Sequence, residues 1–378
     1  MTDQELAEAK QYGRESLACD LIDRLVDFAY LFVFAIVFAR PVDTWLSQWS
    51  LLRDYDSFRL VALLLITIGC HILISFPISL YSGFVLEHRY ELSNQTFAAW
   101  LWRYAKRITL AIAFATPMFL GLFWLIWTTG PYWWLVAAGA FFVVSVILGQ
   151  LMPVVILPLF YKIEPLDDPE LTDRMAKLAE GTGLSIEGVY RIGLSEETVK
   201  ANAMLAGLGR TRRVLMGDTL IDRFSADEIE VIFGHEIAHH VFRHIRKLIA
   251  IGIVFSMLGF LICNQVIYVW VVHCQGQFDY RTLPVSTLPL FMLVLTIFTT
   301  VLEPLQNAVS RHFERQSDRY ALQRTKRTDA YTSAFQKLAK LNKDDPDPHW
   351  LEVLLFHSHP PISERLAIAQ RSIEQNKP

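Results

Sequence analysis

Six stretches of this chain carry almost nothing but apolar side chains, and they constrain the fold more than anything else in it: about 25–39, 60–81, 108–128, 132–161, 248–272 and 288–302. A bilayer core offers a backbone no hydrogen-bond partners, so a segment crossing it must satisfy its own, as an α-helix of about 20 residues does. The first stretch is short and contains Asp27, and the second contains His71 and Pro77. The fourth carries no charge and exceeds the bilayer's thickness, so it is predicted to tilt or to continue past the membrane. Composition agrees, since 53% of the 378 residues are hydrophobic and 19% are charged. The predicted fold class is mainly α: a polytopic membrane protein of about six spans with water-soluble parts.

The soluble parts fall between and after these runs. Residues 1–161 form an N-terminal membrane region of four spans, opened by a polar lead-in over 1–20. Residues 162–246 are a first soluble part, 247–304 two further spans, and 305–378 a second soluble part. Within the first, Asp167-Asp168-Pro169-Glu170 starts a helix, and strand-like segments at 189–194 and 213–216 flank Asn202–Gly207. A charged connection, 85–107, joins the second and third spans. With six spans, both soluble parts and this connection share a side, together with nearly all the flanking Lys and Arg, which predicts a cytosolic location for them. Net charge is −3, so nothing points to nucleic acid as a partner. The four cysteines lack C-x-x-C spacing and read as small hydrophobes. The first twenty residues lack the basic-then-apolar order of a cleavable signal peptide.

Chemistry concentrates in Gly234-His235-Glu236-Ile237-Ala238-His239. Ser225 and Glu228 have capping-box spacing, and the predicted helix runs from there to about Arg246. His235 and His239, four apart, share one helical face and can bind one zinc ion through neutral imidazoles. Glu236, about 100° around the helix, stands beside the metal, where a carboxylate can take a proton from water. This is the H-E-x-x-H pattern of zinc hydrolases. On a continuous helix His240 and His244 point away from that face and read as helix-end cations or supports for the ligands.

A catalytic zinc needs a third protein ligand. Glu314 and Asp318, four apart in Ser310–Tyr320, are the best candidates: one carboxylate can ligate while the other holds a histidine N–H. A second cluster, Phe356–Leu366, holds His359 and Arg365. A histidine or arginine near a metal can stabilise an oxyanion, although a proline-terminated loop with incidental histidines reads equally well. Asp27, His71, Gln150, Asn264, Gln265 and Glu303 lie within spans. They predict interhelical hydrogen bonds or a wet cavity opening onto the metal.

Four separated motifs resemble the zinc-dependent, integral-membrane CAAX prenyl proteases, a gluzincin family, over residues 59–378. They are Phe84–Glu87 leading to Asn94-Gln95-Thr96; Asn202-Ala203 through Arg212-Arg213-Val214 and Asp218-Thr219-Leu220; His235–His239; and Ser310-Arg311…Glu314…Asp318 with His359-Pro360-Pro361…Glu364-Arg365-Leu366. The resemblance implies a helical membrane barrel enclosing a water-filled chamber, and a zinc-metalloprotease domain carrying a small β-sheet. It implies His235, His239 and Glu314 as ligands of one Zn2+ per chain and Glu236 as general base. Asp318 would orient a ligand, His359 would steady the oxyanion, and Arg365 would brace that region. Asn202, Ala203, Met204, Leu205, Ala206 and Gly207 would form an edge strand on which a peptide substrate, prenylated or membrane-associated, adds in extended form. Ser317 replaces a usual alanine, the N-terminus lacks one span of longer members, and no retrieval signal ends the chain. These departures fit a compact member of a bacterial inner membrane. Two other readings are a membrane quality-control metalloprotease, whose type has fewer spans before the zinc helix, and a membrane metal-binding or transport module using His235, His239, His240 and His244.

Overall fold

The computed structural model describes residues 1–183, 188–207 and 213–375; Arg212, part of one motif above, lies outside them. Four long helices come first: α1 (Asp3–Val33), α2 (Asp56–Leu80), α3 (Phe97–Thr129) and α4 (Trp133–Leu151). Then follow strand β1 (Ile163–Pro165), α5 (Pro169–Ala179), strands β2 (Val189–Ile192), β3 (Ala203–Ala206) and β4 (Arg213–Gly217), and α6 (Ala226–Val241). Two more long helices, α7 (His244–Gln275) and α8 (Leu288–Thr325), precede α9 (Thr328–Asn342) and α10 (Ile362–Gln375).

Among the described residues, four stretches are long and apolar enough to cross a membrane: Asp56–Arg89, Phe97–Leu159, His244–Gln275 and Val285–Thr325. The second contains both α3 and α4, which pack on each other about a turn at Gly130, where φ is 61°. Only glycine takes that backbone conformation without a steric penalty. The expected first crossing, 25–39, begins in the last turns of α1 and is not among these four stretches, with Asp23 and Arg24 before it and Asp27 within it. The polar lead-in is not separate from it. Thr2 and Glu5 form a capping box, and one helix runs from Asp3 through a wide turn at Phe34–Phe38 to Leu46. The long fourth run stops being regular helix at Leu151, after which Pro153 sits in a wider turn and Pro158 in a tighter one.

Polar groups in the spans largely find each other. His71 Nε2 meets Asp27 Oδ1 at 2.5 Å, and Arg24 holds Glu303 through both guanidinium nitrogens at 2.5 and 2.8 Å. Asn264 Oδ1 accepts from Trp133 Nε1 at 2.8 Å and Tyr280 Oη at 3.2 Å. In hydrocarbon an unpaired polar group is costly, so these pairs tie α1 to α2 and α8, and α4 to α7. Around Asn264, Trp133, Phe260, Phe291 and Phe123 pack edge to face, giving the helices one shared core.

The soluble part is a four-stranded sheet, order β1-β2-β4-β3, against helices. β2 and β4 are parallel, with Val189 beside Val214, while β1 and β3 run antiparallel on the two edges. Val214 and Met216 face α5 and α6 and bury against Met175, Ile229, Phe233 and Ile237. Strand β1 was not anticipated, and its three residues carry no alternating pattern.

Helix α6 is central, packed by the sheet and α5 on one side and by α8 and α9 on the other. Its expected cap is present, since Ser225 N donates to Glu228 Oε2 (2.7 Å) and Glu228 N to Ser225 Oγ (3.3 Å). Its expected end is not. The helix stops at Val241, Arg243 takes φ 56°, and α7 starts afresh at His244. Helix α8, by contrast, runs unbroken past Pro304, so the sixth apolar run and the Glu314–Asp318 segment are one rigid element and the expected boundary at 304 falls inside it.

The 85–107 connection docks on the loop before β3. Asn94 Nδ2 donates to Ser195 O (2.8 Å), Asn94 N to Glu197 O (3.0 Å) and Val199 N to Leu92 O (3.1 Å), and Lys200 pairs with Glu87 (2.9 Å). The membrane part thereby fixes where the edge strand begins.

Candidate active site

His235 lies on the buried face of α6, and its Nδ1 is 2.9 Å from Asp318 Oδ1. A carboxylate can only accept, so the imidazole proton resides on Nδ1 and Nε2 turns inward. That Nε2 is 3.1 Å from Glu314 Oε2 and 3.2 Å from His239 Nε2, and His239 Nε2 is 3.3 Å from Glu314 Oε1. These ligand atoms of His235, His239 and Glu314 all lie within 4.8 Å of one another, and among the described residues no other three His, Cys, Asp or Glu converge in this way. His240 and His244 are outside the trio.

The trio fits a metal ion on its own chemistry. Glu314 is 4% exposed, yet its Oε2 has no hydrogen-bond partner. Burying a carboxylate oxygen in that condition is expensive unless a cation completes it. Burial alone lowers the proton affinity of His235, but the negative charges of Asp318 and Glu314 outweigh it and raise it. Positive charge is therefore drawn to this point. Two imidazoles and one carboxylate with a further position open is the donor set of a catalytic site, not of a closed structural one.

Asp318 is held in turn. Arg365 Nη2 donates to its Oδ1 at 2.5 Å and Nε to its Oδ2 at 3.0 Å, and the guanidinium lies 3.8 Å from the centroid of Phe335. Helix α10 thus braces α8, which braces α6. His359 follows the short helix Trp350–Phe356, with Nε2 3.6 Å from Glu314 Oε2 and Nδ1 3.0 Å from Ser358 Oγ. Its side chain is 63% exposed, facing the opening beside the trio.

Glu236 points from α6 toward the sheet, where its Oε2 accepts from Leu205 N at 3.1 Å. In β3 the backbone groups of Asn202, Met204 and Ala206 turn toward β4, leaving those of Ala203 and Leu205 on the free edge. The free edge and the Glu236 carboxylate therefore border one groove of about 640 Å³. Glu236, Glu314 and His359 line it, together with Tyr12, Ser16 and Asp20 of α1. Asn202 is exposed at the entry to the strand, and Gly207, at φ 88°, follows its end.

Several contributors carried no readable signal. The lead-in helix as a groove wall is one, since it is tied down by Tyr12 with Glu87 and by Lys340 and Lys343 with Glu5 and Glu8, all distant in sequence. The contacts of Arg311, although it stands in one of the motifs, are another: it donates to Val353 O (2.7 Å) and His357 O (2.6 Å), while Asn307 donates to Leu355 O, clamping the segment that carries His359. His244, which the sequence leaves as a helix-end cation or a support for the ligands, lies against one of them. Its Nδ1 is 3.1 Å from His239 Nδ1, a contact that the break at Arg243 creates.

A helical membrane barrel whose soluble part gathers such a donor trio beside an edge strand belongs to the integral-membrane metalloproteases, hydrolases that cut peptide bonds in peptides or proteins. The profile of peptidase family M48 matches residues 165–373, and that of the CAAX prenyl protease N-terminal region, described as five membrane helices, matches 1–162. The chain belongs to peptidase family M48. It has four long helices over the second of these regions among the described residues. It is 29% identical to the uncharacterized metalloprotease YhfN of Bacillus subtilis, over 100% of this chain and 88% of that protein. It is 29% identical to CAAX prenyl protease 1 of Saccharomyces cerevisiae, over 81% of this chain and 70% of the other. The crystal structure of S. mikatae Ste24p superposes with a TM-score of 0.83 at 25% identity, covering 98% of this chain and 89% of that one. The protein is thus a multi-pass membrane metallopeptidase.

Proposed function

We propose that the protein is a zinc metalloendopeptidase of the CAAX-prenyl-protease type, with His235, His239 and Glu314 holding one Zn2+ and Glu236 as general base. The observation carrying this reading is the convergence of three inward-facing donors around the otherwise unpartnered Glu314 Oε2, with Glu236 one residue along on the edge-strand side. Zinc, when bound there, supplies Lewis acidity, bringing water's pKa toward about 7 and polarising a carbonyl.

The chain's own residues do the rest. A peptide adds along Ala203 and Leu205 in extended form, and its backbone displaces the Glu236 carboxylate from the Leu205 N–H. Freed, Glu236 takes the proton of the attacking water and delivers it to the leaving amine. His359, exposed to the groove, donates toward the oxyanion. Asp318 keeps His235 in its Nδ1–H tautomer and Arg365 keeps Asp318 in place. The names of several relatives and the membrane helices of the chain favour a prenylated or membrane-associated peptide. The Lys- and Arg-rich connections favour a bacterial inner membrane with the catalytic part in the cytosol.

The test is cleavage of matched prenylated and unprenylated peptides by the purified full chain, with chelator and zinc add-back. Cleavage should stop on chelation and return with zinc. Glu236→Gln should reduce it by at least about 10²-fold while one zinc per chain remains. Persistent cleavage in Glu236→Gln would remove the proposed base, and unchanged zinc binding in Glu314→Ala would remove the third ligand. Equal rates on the two peptides would leave the protease reading and overturn the lipid preference.

A further inference from the structure

The two histidines of the trio are supported in different ways. His235 leans on a carboxylate, Asp318. His239 leans on another imidazole: its Nδ1 is 3.1 Å from His244 Nδ1, His244 Nε2 is 3.0 Å from Gln316 Oε1, and Gln316 Nε2 is 3.1 Å from His312 Nε2. We infer that His244, held by Gln316 and Phe313, is the positioning residue that sets the tautomer and ring angle of His239. This rests on the ligand assignment proposed above.

The proton directions in this chain are mutually determined. If His239 ligates through Nε2, its proton is on Nδ1 and must be donated to His244 Nδ1. His244 then carries its proton on Nε2 and donates it to Gln316 Oε1, the accepting end of the amide. The amide's other end, Nε2, donates to His312 Nε2 at the surface. Reversing any link would put a proton on His239 Nε2 and close the donor position.

The rest of the environment suits this role. His244 is 1% exposed, and its ring stacks on Phe313 at 4.2 Å between centroids and 8° between planes. Its orientation is therefore fixed by packing before any metal binds. Position 244 would lie about 140° from position 239 on a continuous helix. The left-handed Arg243, a conformation that ordinary residues rarely take, turns the chain so that the first residue of α7 faces back onto α6.

A neutral partner for His239 also has an electrostatic sense. Glu236, Glu314 and Asp318 against Arg365 leave two net negative charges around the site, which one divalent cation cancels. A carboxylate in place of His244 would add a third negative charge and weaken the ion's pull on electrons. An imidazole orients without that cost.

The experiment compares zinc affinity, by competition with a chelator of known affinity, in full-length protein in detergent. His244→Phe keeps the stack on Phe313 and removes the acceptor; His244→Asn restores an acceptor near the Nδ1 position. His244→Phe should bind zinc roughly 10–100-fold more weakly, and His244→Asn should recover most of the loss, with the metal-free forms melting together. Zinc affinity within twofold of the wild type in His244→Phe would overturn the inference. So would equal weakening in both variants with matching drops in metal-free melting, the mark of packing alone. His239→Ala separates the two levels: if it binds zinc as the parent does, the ligand assignment itself fails, whereas its loss beside an unaffected His244→Phe refutes only the relay.

Discussion

Arg365→Met tests the buried brace behind the site. Arg365 is 7% exposed and Asp318 0%, and the two are joined at 2.5 and 3.0 Å. Methionine fills most of the volume, so the main loss is charge. Asp318 would keep its interaction with His235 Nδ1 but lose both guanidinium contacts, leaving a carboxylate in a water-free position with one partner. Breaking one side of a buried ion pair costs about 3–5 kcal/mol, and losing the guanidinium over Phe335 adds about 1 kcal/mol. At ~2–4 °C per kcal/mol for a unit the size of the soluble part, the melting temperature should fall by on the order of 10 °C. The assay is a thermal melt of chelated protein in detergent, so that altered zinc binding does not enter. The double variant Arg365→Met with Asp318→Asn removes both charges and should melt above the Arg365→Met single variant, because the neutral amide no longer needs a cation. A single variant within about 2 °C of the parent, or a double variant below both singles, would refute the idea that Arg365 acts by neutralising Asp318.

Two further outcomes follow from the loop before the edge strand. Burial works against ionisation of Asp218, but Ser195 Oγ and the N–H groups of Leu194, Ser195 and Thr219 hold its carboxyl below the usual carboxylate range. A depressed folded-state value means that this stabilisation is complete above the unfolded value of about 3.9 and is lost as pH falls through the folded one. The melting advantage of the parent over Asp218→Asn should therefore be constant from pH 7 to 5 and shrink progressively as pH falls below about 4; a pH-independent difference would contradict this. At Gly217, an added Cβ would lie 3.0 Å from Asn202 O and 2.8 Å from Leu194 Cδ1. Gly217→Ala should push the start of β3 outward at a cost of about 1–3 kcal/mol, raising KM for peptide while the zinc content stays at the parent's level. Unchanged KM would show that the strand's position does not matter to binding.

Much of this architecture is legible locally. A bilayer-length apolar run has one way to satisfy its backbone, and Ser225 with Glu228 can cap only a helix starting between them. His235 and His239 on one face, and Glu314 and Asp318 on another, follow from a 3.6-residue repeat whatever the helices pack against. The edge strand at 203–206, by contrast, follows from the family resemblance and not from a local pattern, and the structure puts it at the sheet's edge.

Tertiary structure decided what each group does with its neighbours. Helical spacing makes Glu314 and Asp318 equivalent candidates; only the rotation of α8 against α6 places one against the inward nitrogen of His235 and the other against its outward one. His244 reads as pointing away because helix continuity was assumed through Arg243, where the backbone instead turns left-handed. The charges of the N-terminal helix match partners up to 335 residues distant. Pairing over such separations has no local period or spacing to reveal it, because it depends on chain closure. Local repeats are set by covalent geometry and can be read along the chain, whereas contacts between elements arise only when the whole chain buries its apolar surface at once.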